Sequence, residues 1–300
     1  ADAYPNRSVR FIVPYTPGAI NDFVARLTAQ KLTDAWGRQV VVDNRPGAAG
    51  VIGADLVAKS PPDGYTLLVV PATHAVNPTL MPKMPFDTVR DLSHVGLVAE
   101  APFILVVHPS LPVGNVPQLI ALARSRPGQL NYGAASYGGL PHLAGELFKV
   151  MARVDVTHVP YRGAAPALVD VMGGQVNLII TSTSSVAGHV TQGKLRALAV
   201  SSARRVGVFK ETPTMEEQGF RDMSYDDWYG FFVPAGTPAE RVAYLHEAIT
   251  TVLKTPTISQ KIVDAGGEVV AGTPQQLALQ LQQDVARWGR VAKASGAKLD

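Results

Sequence analysis

The sequence predicts an α/β protein of two similar lobes, each a mostly parallel sheet flanked by helices. The chain has 300 residues, of which 46% are hydrophobic and 17% are charged, and this suits a folded protein with two buried cores. Short β-branched runs alternate with longer segments of helical periodicity, as is typical of βαβ units. The order β-α-β-α-β occurs twice. Two α/β lobes are therefore expected rather than one large sheet.

The first run occupies about sixty residues. In order, the sequence predicts a strand over 9–13, a loop over 14–20, a helix over 21–32, a strand over 40–42, a glycine-rich loop over 46–50, a helix over 51–59 and a strand over 65–70. Pro61, Pro62 and Gly64 end the second helix, because proline cannot continue helical hydrogen bonding.

The second run repeats this order. Strands are predicted over 130–134, 157–159 and 176–180, loops over 135–139 and 161–165, and helices over 141–151 and 166–172. Tyr15 and Tyr132 are 117 residues apart, as are Arg45 and Arg162, so the two runs align at that spacing. The alternative, that any two βαβ units look alike, stays open.

The remaining segments define the domain organisation. Further strands are predicted over 103–107, 194–201 and 225–233, and helices over 113–124, 238–253 and 274–294. Domain 1 is assigned residues 1–101 and 225–300, and domain 2 residues 102–224. The chain then crosses twice between the lobes, which creates a hinge, and a small ligand is expected in the cleft between them.

Composition excludes several kinds of site. The chain has no cysteine, which excludes disulfides, a thiol nucleophile and cysteine-ligated metals. The net charge is only +3 and no dense basic run is present, so no nucleic-acid partner is predicted. The seven histidines lack metal-ligand spacing, and no metal or cofactor is expected. No apolar run approaches the roughly 18 residues that a membrane-spanning helix needs.

Catalytic motifs are weak. Ser136 is the best candidate nucleophile, but a nucleophile elbow needs glycine two residues earlier, where Ala134 stands. The glycines over 47–53 match neither a dinucleotide nor a Walker pattern. No catalytic residue is therefore predicted, and a serine-dependent hydrolase remains only as an alternative.

Loops rich in small and hydroxyl residues carry the functional prediction. They lie over 15–20, 71–74, 135–139, 161–163 and 181–185. Each follows a predicted strand, and ligands bind at the carboxyl ends of parallel strands. Small residues let backbone N–H groups approach a ligand, and helix N-termini favour an anion there. These loops predict a binder of small anions.

Ordered motifs along the whole chain carry a family resemblance. They include Val9-Arg-x-Ile-Val-Pro14-Tyr-x-Pro-Gly18, Asn44-Arg-Pro-Gly47, His142-Leu-Ala-Gly-Glu146 and His158-Val-Pro-Tyr161-Arg-Gly. The chain resembles the Bug family of bacterial periplasmic solute-binding proteins, the TctC-like receptors of tripartite tricarboxylate transporters. The resemblance implies a Venus flytrap fold, a small organic carboxylate as ligand and membrane permease subunits as partners.

The resemblance also implies a location. A gram-negative periplasm agrees with a sequence that begins at Ala1 without Met, as expected after removal of a signal peptide. We expect a monomer without a cofactor. A sensor adaptor that signals ligand presence is the alternative role.

The candidate binding residues follow from the loops and the resemblance together. Family members typically hold one ligand carboxylate between the first loops of the two lobes, partly through ordered waters. Here that implies a pincer of backbone groups near Gly18 and Ser136. The full set of candidates is Tyr15, Thr16, Gly18, Ala19, Ile20, Asn21, Thr73, His74, Ala135, Ser136, Tyr137, Gly138, Tyr161, Arg162, Thr181 and Ser182.

Departures from the family pattern bear on the ligand. Ala19 and Ile20 stand where a second glycine is common, and they add apolar bulk. Thr181 replaces a frequent Asp, which disfavours a ligand with an ammonium group. We expect Tyr137, Ile20 and the segment 225–229 to flank an aromatic ring of the ligand. We expect a di-, tri- or aromatic carboxylate; the alternative, that the apolar residues pack the hinge, stays open.

Overall fold

The computed structural model describes residues 4–18, 20–81, 83–135, 138–161 and 163–296. The chain divides into two compact units. Among the described residues, unit 1 contains those up to Glu100 together with those of Trp228–Arg287, and unit 2 contains those of Ala101–Asp227 and those from Trp288 onward. The prediction assigned residues 225–300 entirely to domain 1. The structure differs at both ends of that segment, because residues 225–227 and the described residues from Trp288 onward belong to unit 2, where Trp288 packs edge-on against Tyr225 with ring centroids 5.4 Å apart.

The described elements agree closely with the predicted ones. The strands are β1 (Val9–Val13), β2 (Val40–Asn44), β3 (Thr66–Pro71), β4 (Leu92–Val107), β5 (Leu130–Ala135), β6 (Val156–Tyr161), β7 (Leu178–Ser182), β8 (Arg196–Val200), β9 (Asp226–Pro234) and β10 (Glu268–Gly272). The helices are α1 (Ile20–Trp36), α2 (Val51–Ala58), α3 (Asn77–Leu80), α4 (Val116–Ser125), α5 (Leu140–Ala152), α6 (Ala164–Met172), α7 (Thr183–Thr191), α8 (Ala239–Leu253), α9 (Pro256–Asp264) and α10 (Pro274–Ser295).

Four of these elements were not predicted, namely α3, α7, α9 and β10. The loop expected over 181–185 is wrong, because Thr181 and Ser182 end β7 and α7 begins at Thr183. Among the described helices, none is both long enough and apolar enough to cross a bilayer.

The sheet of unit 1 has a parallel centre with antiparallel additions. Strands β2, β1 and β3 pair in parallel in that order, and β9 pairs antiparallel with β3. Strand β10 pairs antiparallel with the first half of β4. Phe11 on β1 and Phe231 on β9 are fully buried and meet edge-on, with ring centroids 5.1 Å apart. Apolar burial on this scale stabilises the unit and holds the strand ends in place.

The sheet of unit 2 also has a parallel centre with antiparallel strands added to it. Strands β7, β5 and β6 are parallel, while β4 pairs antiparallel with β7 and with β8. Ile104, Val106 and Ile179 form part of its hydrophobic core with residues of α6. The predicted parallel βαβ units are present in both sheets, and the antiparallel strands make each sheet mixed.

The predicted 117-residue alignment is wrong at the first loop. Tyr15 lies two residues after β1 and is half-buried, whereas Tyr132 is the third residue of β5 and is 1% exposed. A spacing of 120 residues instead places Gly18 on Gly138, because each precedes the first residue of its helix, α1 or α5, by two positions. The first loops of the two units are therefore aligned correctly by their positions between strand and helix, and not by the two tyrosines.

Candidate ligand-binding site

The first loop of unit 1 joins β1 to α1 and is held by Asp22. This residue is third in α1 and 4% exposed. Its Oδ2 accepts hydrogen bonds from the Gly18 N–H (3.1 Å) and Arg26 Nε (3.0 Å), and its Oδ1 accepts one from Asn44 Nδ2 (2.9 Å). Burial opposes ionisation, but the hydrogen bonds from Arg26, Asn44 and Gly18 outweigh it and lower the pKa of Asp22. The carboxylate thus stays ionised and keeps the loop in place.

The loop that follows β2, which contains Ala49 and Gly50, supports the first loop of unit 1. The Tyr15 hydroxyl donates to the Ala49 carbonyl at 3.3 Å, and Asn44 Nδ2 donates to the Tyr15 carbonyl at 3.0 Å. Asn77 Nδ2 also donates to the Ala49 carbonyl, at 3.0 Å. Gly50 makes room for the tyrosine, since a Cβ there would lie 2.8 Å from the Tyr15 hydroxyl. Tyr15 therefore joins the two loops.

Asn21 carries a buried donor at the start of α1. It is the second residue of the helix and 2% exposed, and its Nδ2 has no hydrogen-bond partner among the described residues. A buried donor left unpaired costs about 1–3 kcal/mol. Thr16 and Gly18, a few residues earlier, are exposed, and Ile20 is half-buried. An oxygen supplied by a ligand or a water would satisfy this donor.

The candidates after β3 differ from each other in burial. His74 is 1% exposed, and its ring centroid lies 6.1 Å from that of Phe86 and 5.6 Å from that of Phe232. Burial, with a smaller contribution from His94, lowers the pKa of His74 to about 4. The structure therefore places His74 in the hydrophobic interior as a neutral ring, not at the side of a binding loop. Thr73 is partly exposed.

The first loop of unit 2 follows β5, which ends at Ala135, and is held by His142. This residue is third in α5 and 3% exposed. Gly138, with φ +76°, donates its N–H to His142 Nδ1 at 3.1 Å. The imidazole stacks on that of His158, with centroids 4.2 Å apart. The same position of α5 that Asp22 fills in α1 thus supplies the acceptor for the loop.

A buried polar cluster surrounds His142. The Tyr132 hydroxyl donates to Glu146 Oε1 at 2.7 Å, and Lys149 Nζ donates to the same oxygen at 2.9 Å. The Tyr132 ring lies 4.9 Å from the His158 ring. Burial lowers the pKa of His142, and burial together with the nearby His142 lowers the pKa of His158 to about 4. Both imidazoles are therefore neutral at physiological pH.

The remaining candidates of unit 2 make hydrogen bonds within that unit. The Tyr161 hydroxyl donates to Asp170 Oδ2 at 2.6 Å, and burial together with this contact raises the pKa of Tyr161 to about 12. Thr181 is 4% exposed, and its Oγ1 lies 3.2 Å from Ser185 Oγ. Ser182 Oγ lies at the same distance from that atom. The candidates that lie outside the described residues are Ala19, Ser136, Tyr137 and Arg162.

Sequence analysis missed the residues that hold the loops. Asp22 and His142 were not candidates, although each follows a loop glycine by four positions, and this shared spacing was visible in the sequence. Asn44 was also missed because its partners, Tyr15 in the loop after β1 and Asp22 in α1, lie far from it in the sequence. Among the described residues, no group of His, Asp and Glu side chains is arranged to hold a metal ion.

Known proteins match this chain over its length. The sequence profile described as "Tripartite tricarboxylate transporter family receptor" matches residues 24–297. The protein BugT of Bordetella pertussis is 37% identical over 301 residues, covering 100% of this chain and 92% of BugT.

Solved structures of similar sequence share the fold. R. palustris Rpa4515 with adipate is 37% identical, with a TM-score of 0.81 over 99% of this chain and 100% of that one. MatC from Rhodopseudomonas palustris with bound malate is 29% identical, with a TM-score of 0.78 over 96% and 99%. The periplasmic binding protein BugD is 31% identical, with a TM-score of 0.78 over 98% and 99%. These matches confirm the predicted fold class, that of the periplasmic binding proteins.

Proposed function

Because the chain belongs to the tripartite tricarboxylate transporter receptor family of periplasmic solute-binding proteins, we propose that it captures a small organic carboxylate and delivers it to the permease subunits of a tripartite transporter. It does so in the periplasm of a gram-negative bacterium. The relatives with bound adipate and malate support a carboxylate as ligand. Binding and release, rather than chemical conversion, are its task.

The unpaired Asn21 Nδ2 is the observation that carries this proposal. It lies in the first turn of α1, three residues after the exposed Gly18. The first N–H groups of a helix lack partners within the helix, and the helix dipole favours a negative charge beside them. A ligand carboxylate accepts from the Asn21 amide and from these N–H groups. Arg26 offsets the charge of Asp22, which otherwise repels an anion here.

A cluster of hydroxyl groups at the end of β7 and in the first turn of α7 supports a narrower ligand class. Thr181, Ser182 and Ser185 present hydroxyl groups that hydrogen-bond to one another. Hydroxyls donate to a second carboxylate or an uncharged group, whereas an ammonium group needs an anionic partner. A di-, tri- or aromatic carboxylate therefore fits better than a zwitterionic amino acid.

A thermal-shift screen followed by calorimetry tests the proposal. Adipate, malate, benzoate and glutamate are compared at pH 8. A ligand that binds only the folded state stabilises it by about 2.7 kcal/mol at one hundred times its Kd, so a carboxylate ligand raises the melting temperature clearly. We expect micromolar or tighter binding of at least one acid without an amino group. Binding of glutamate alone, or of no acid, contradicts the proposal.

A matched pair of variants tests the role of Asn21. Asn21→Leu removes the donor with little change in volume, and we expect at least a tenfold increase in Kd. Gln30→Leu removes an exposed amide from the same helix and leaves the affinity unchanged. Equal affinities of the two variants would mean that the Asn21 amide does not contact the ligand.

A further inference from the structure

We infer that Ile52 contacts the carbon chain of the bound acid and so favours acids with a longer apolar chain. This role rests on the proposed function, because it places the ligand at the carboxyl edge of the sheet in unit 1. Ile52 is the second residue of α2, as Asn21 is the second residue of α1. Asn21 holds the carboxylate, and Ile52 selects the chain attached to it.

Ile52 and Asn21 stand at the same edge of the sheet. Strands β1 and β2 are parallel neighbours, and their last residues, Val13 and Asn44, pair with each other. Helix α1 begins seven residues after Val13, and α2 begins seven residues after Asn44. Ligands bind at the carboxyl ends of parallel strands. At this edge the Asn21 Nδ2 has no hydrogen-bond partner among the described residues, which points to a ligand there.

The start of α2 packs against the first loop of unit 1. A Cβ on Gly53 would lie 2.7 Å from the Cβ of Pro14, and a Cβ on Gly50 would lie 2.8 Å from the Tyr15 hydroxyl. Glycine at both positions therefore lets α2 approach the chain that leaves β1. Ile52 lies between these two glycines in the sequence, so it borders the first loop.

The loop before α2 has a backbone that fixes the position of Ile52. Four consecutive residues, Gly47 to Gly50, have positive φ angles, and two of them are alanines, Ala48 (+47°) and Ala49 (+52°). Residues with a side chain rarely adopt this conformation, and it persists only where the surrounding contacts impose it. Tyr15 and Asn77 supply such contacts, because both donate to the Ala49 carbonyl, at 3.3 and 3.0 Å.

The side chain of Ile52 presents an apolar surface to the solvent. It is 55% exposed, and its Cδ1 covers Gly47, where a Cβ would stand 2.5 Å from it. Ala48 beside it is exposed as well. Arg45, the cation at the start of the loop, is paired with Asp43, whose Oδ1 lies 3.0 Å from the Arg45 Nε. A carbon chain on this surface removes apolar area from water, which stabilises the complex.

The contact predicts an order of affinities among straight-chain acids. A chain that extends from the carboxylate held at Asn21 gains the contact with Ile52 only when it is long enough. Each methylene group that becomes buried lowers Kd about fourfold. We therefore expect adipate to bind more tightly than glutarate, and glutarate more tightly than succinate, since these acids differ by single methylene groups.

Calorimetry with succinate, glutarate and adipate tests this order at pH 8. Ile52→Ser removes the apolar contact, and we expect the Kd of adipate to rise about tenfold, as for the loss of between one and two buried methylene groups. The Kd of succinate rises at most about twofold, because its chain is too short to gain the full contact. Ile52→Leu keeps the apolar volume and retains the wild-type order.

Leu279→Ser is the matched control. Leu279 on α10 belongs to the same unit and is 56% exposed, so the same change at an equally exposed side chain leaves all three Kd values unchanged. Thermal unfolding verifies that the variants are folded. An unchanged adipate Kd in Ile52→Ser, or an equal loss for all three acids, overturns the inference. A change of oligomeric state in Ile52→Ser with unchanged Kd values overturns it as well, since Ile52 then contacts a second copy of the chain.

An NMR experiment tests the contact directly. In protein labelled with ¹³C at the isoleucine δ1 methyl groups, the Ile52 resonance is assigned by its absence from Ile52→Leu. We expect a nuclear Overhauser effect between this methyl group and the methylene protons of bound adipate. Its absence while adipate is bound overturns the inference and leaves the proposed function intact. If the wild type binds no acid of this series or of the thermal-shift screen, the proposed function fails, and the role of Ile52 fails with it.

Discussion

The first loops of the two units have the same backbone design but different side-chain chemistry. In each unit a glycine with positive φ donates its N–H to the third residue of the following helix, at 3.1 Å in both. The acceptor is the Asp22 carboxylate in unit 1 and the His142 imidazole in unit 2. The same backbone contact is therefore made to two different ionisable groups.

The charges of the supporting residues are reversed between the units. Four residues after the acceptor stands Arg26 in α1 and Glu146 in α5, at distances of 3.0 Å from Asp22 and 3.9 Å from His142. The carboxylate of Asp22 accepts hydrogen bonds until it is protonated, and its pKa is lowered. The imidazole accepts only while neutral. The two acceptors therefore lose that role through different protonation steps.

Among the variants that test this comparison, Asp22→Asn is expected to cause the largest loss of stability. The Asp22 carboxylate is buried and accepts three hydrogen bonds, and a hydrogen bond to a charged group contributes about 1.5–3 kcal/mol, so we expect a loss of about 4 kcal/mol in unfolding free energy, measured by urea denaturation. Asp34→Asn changes an exposed acid of the same helix and stays within about 0.5 kcal/mol of the wild type. Similar stabilities of the two variants would show that the carboxylate does not hold the first loop.

Gly145→Ala tests the support of the second loop. A Cβ on Gly145 would lie 2.1 Å from the Tyr132 ring, so the ring moves away and its hydrogen bond to Glu146 is lost. We expect destabilisation by about 3 kcal/mol. Gly188→Ala is the matched control, because nothing lies within 4 Å of a Cβ there, and alanine in helix α7 stabilises by up to about 1 kcal/mol. Equal effects of the two changes would contradict the packing argument.

An acid titration of the unfolding free energy measures how strongly the buried, neutral His74 makes the protein sensitive to low pH. The pKa of His74 is lowered to about 4, whereas the unfolded state binds the proton near the ordinary value of 6.5. Stability is therefore complete above about pH 6.5 and falls as the pH drops toward 4, by about 2 kcal/mol at pH 5 for this residue. His74→Phe removes that share of the acid sensitivity in urea titrations at pH 7 and 5. Its failure to do so would place His74 in contact with water.

Asn115→Ala has the smallest expected effect and serves as a benchmark. Asn115 caps α4 by accepting from the Gln118 N–H at 2.9 Å, a capping contact outside both binding loops. We expect a loss of about 1 kcal/mol in unfolding free energy with unchanged ligand affinity. A change of affinity in this variant would show that general destabilisation, rather than loss of a ligand contact, accounts for the weaker binding expected of Asn21→Leu.

Local patterns made most of the fold predictable. Proline and glycine around residues 61–64 marked the end of α2, and β-branched runs marked the parallel strands within one or two residues. Helix α7 was not predicted, because Thr181-Ser-Thr-Ser-Ser185 has the composition of a loop. In the structure, Thr183 begins a helix that packs on β7. The alignment of the units on Tyr15 and Tyr132 failed because identical residues occupied different positions relative to the strand ends.

The sequence by itself determined the two βαβ units, the loops at the carboxyl ends of their strands and the family to which the chain belongs. These features depend on local periodicity and on contiguous motifs. Only the tertiary structure decided which side chains hold the loops. Asn44 reaches Asp22 and Tyr15 because β2 pairs beside β1, and His158 stacks on His142 because β6 pairs beside β5. Such partners meet through strand pairing across many residues, which local sequence patterns do not encode.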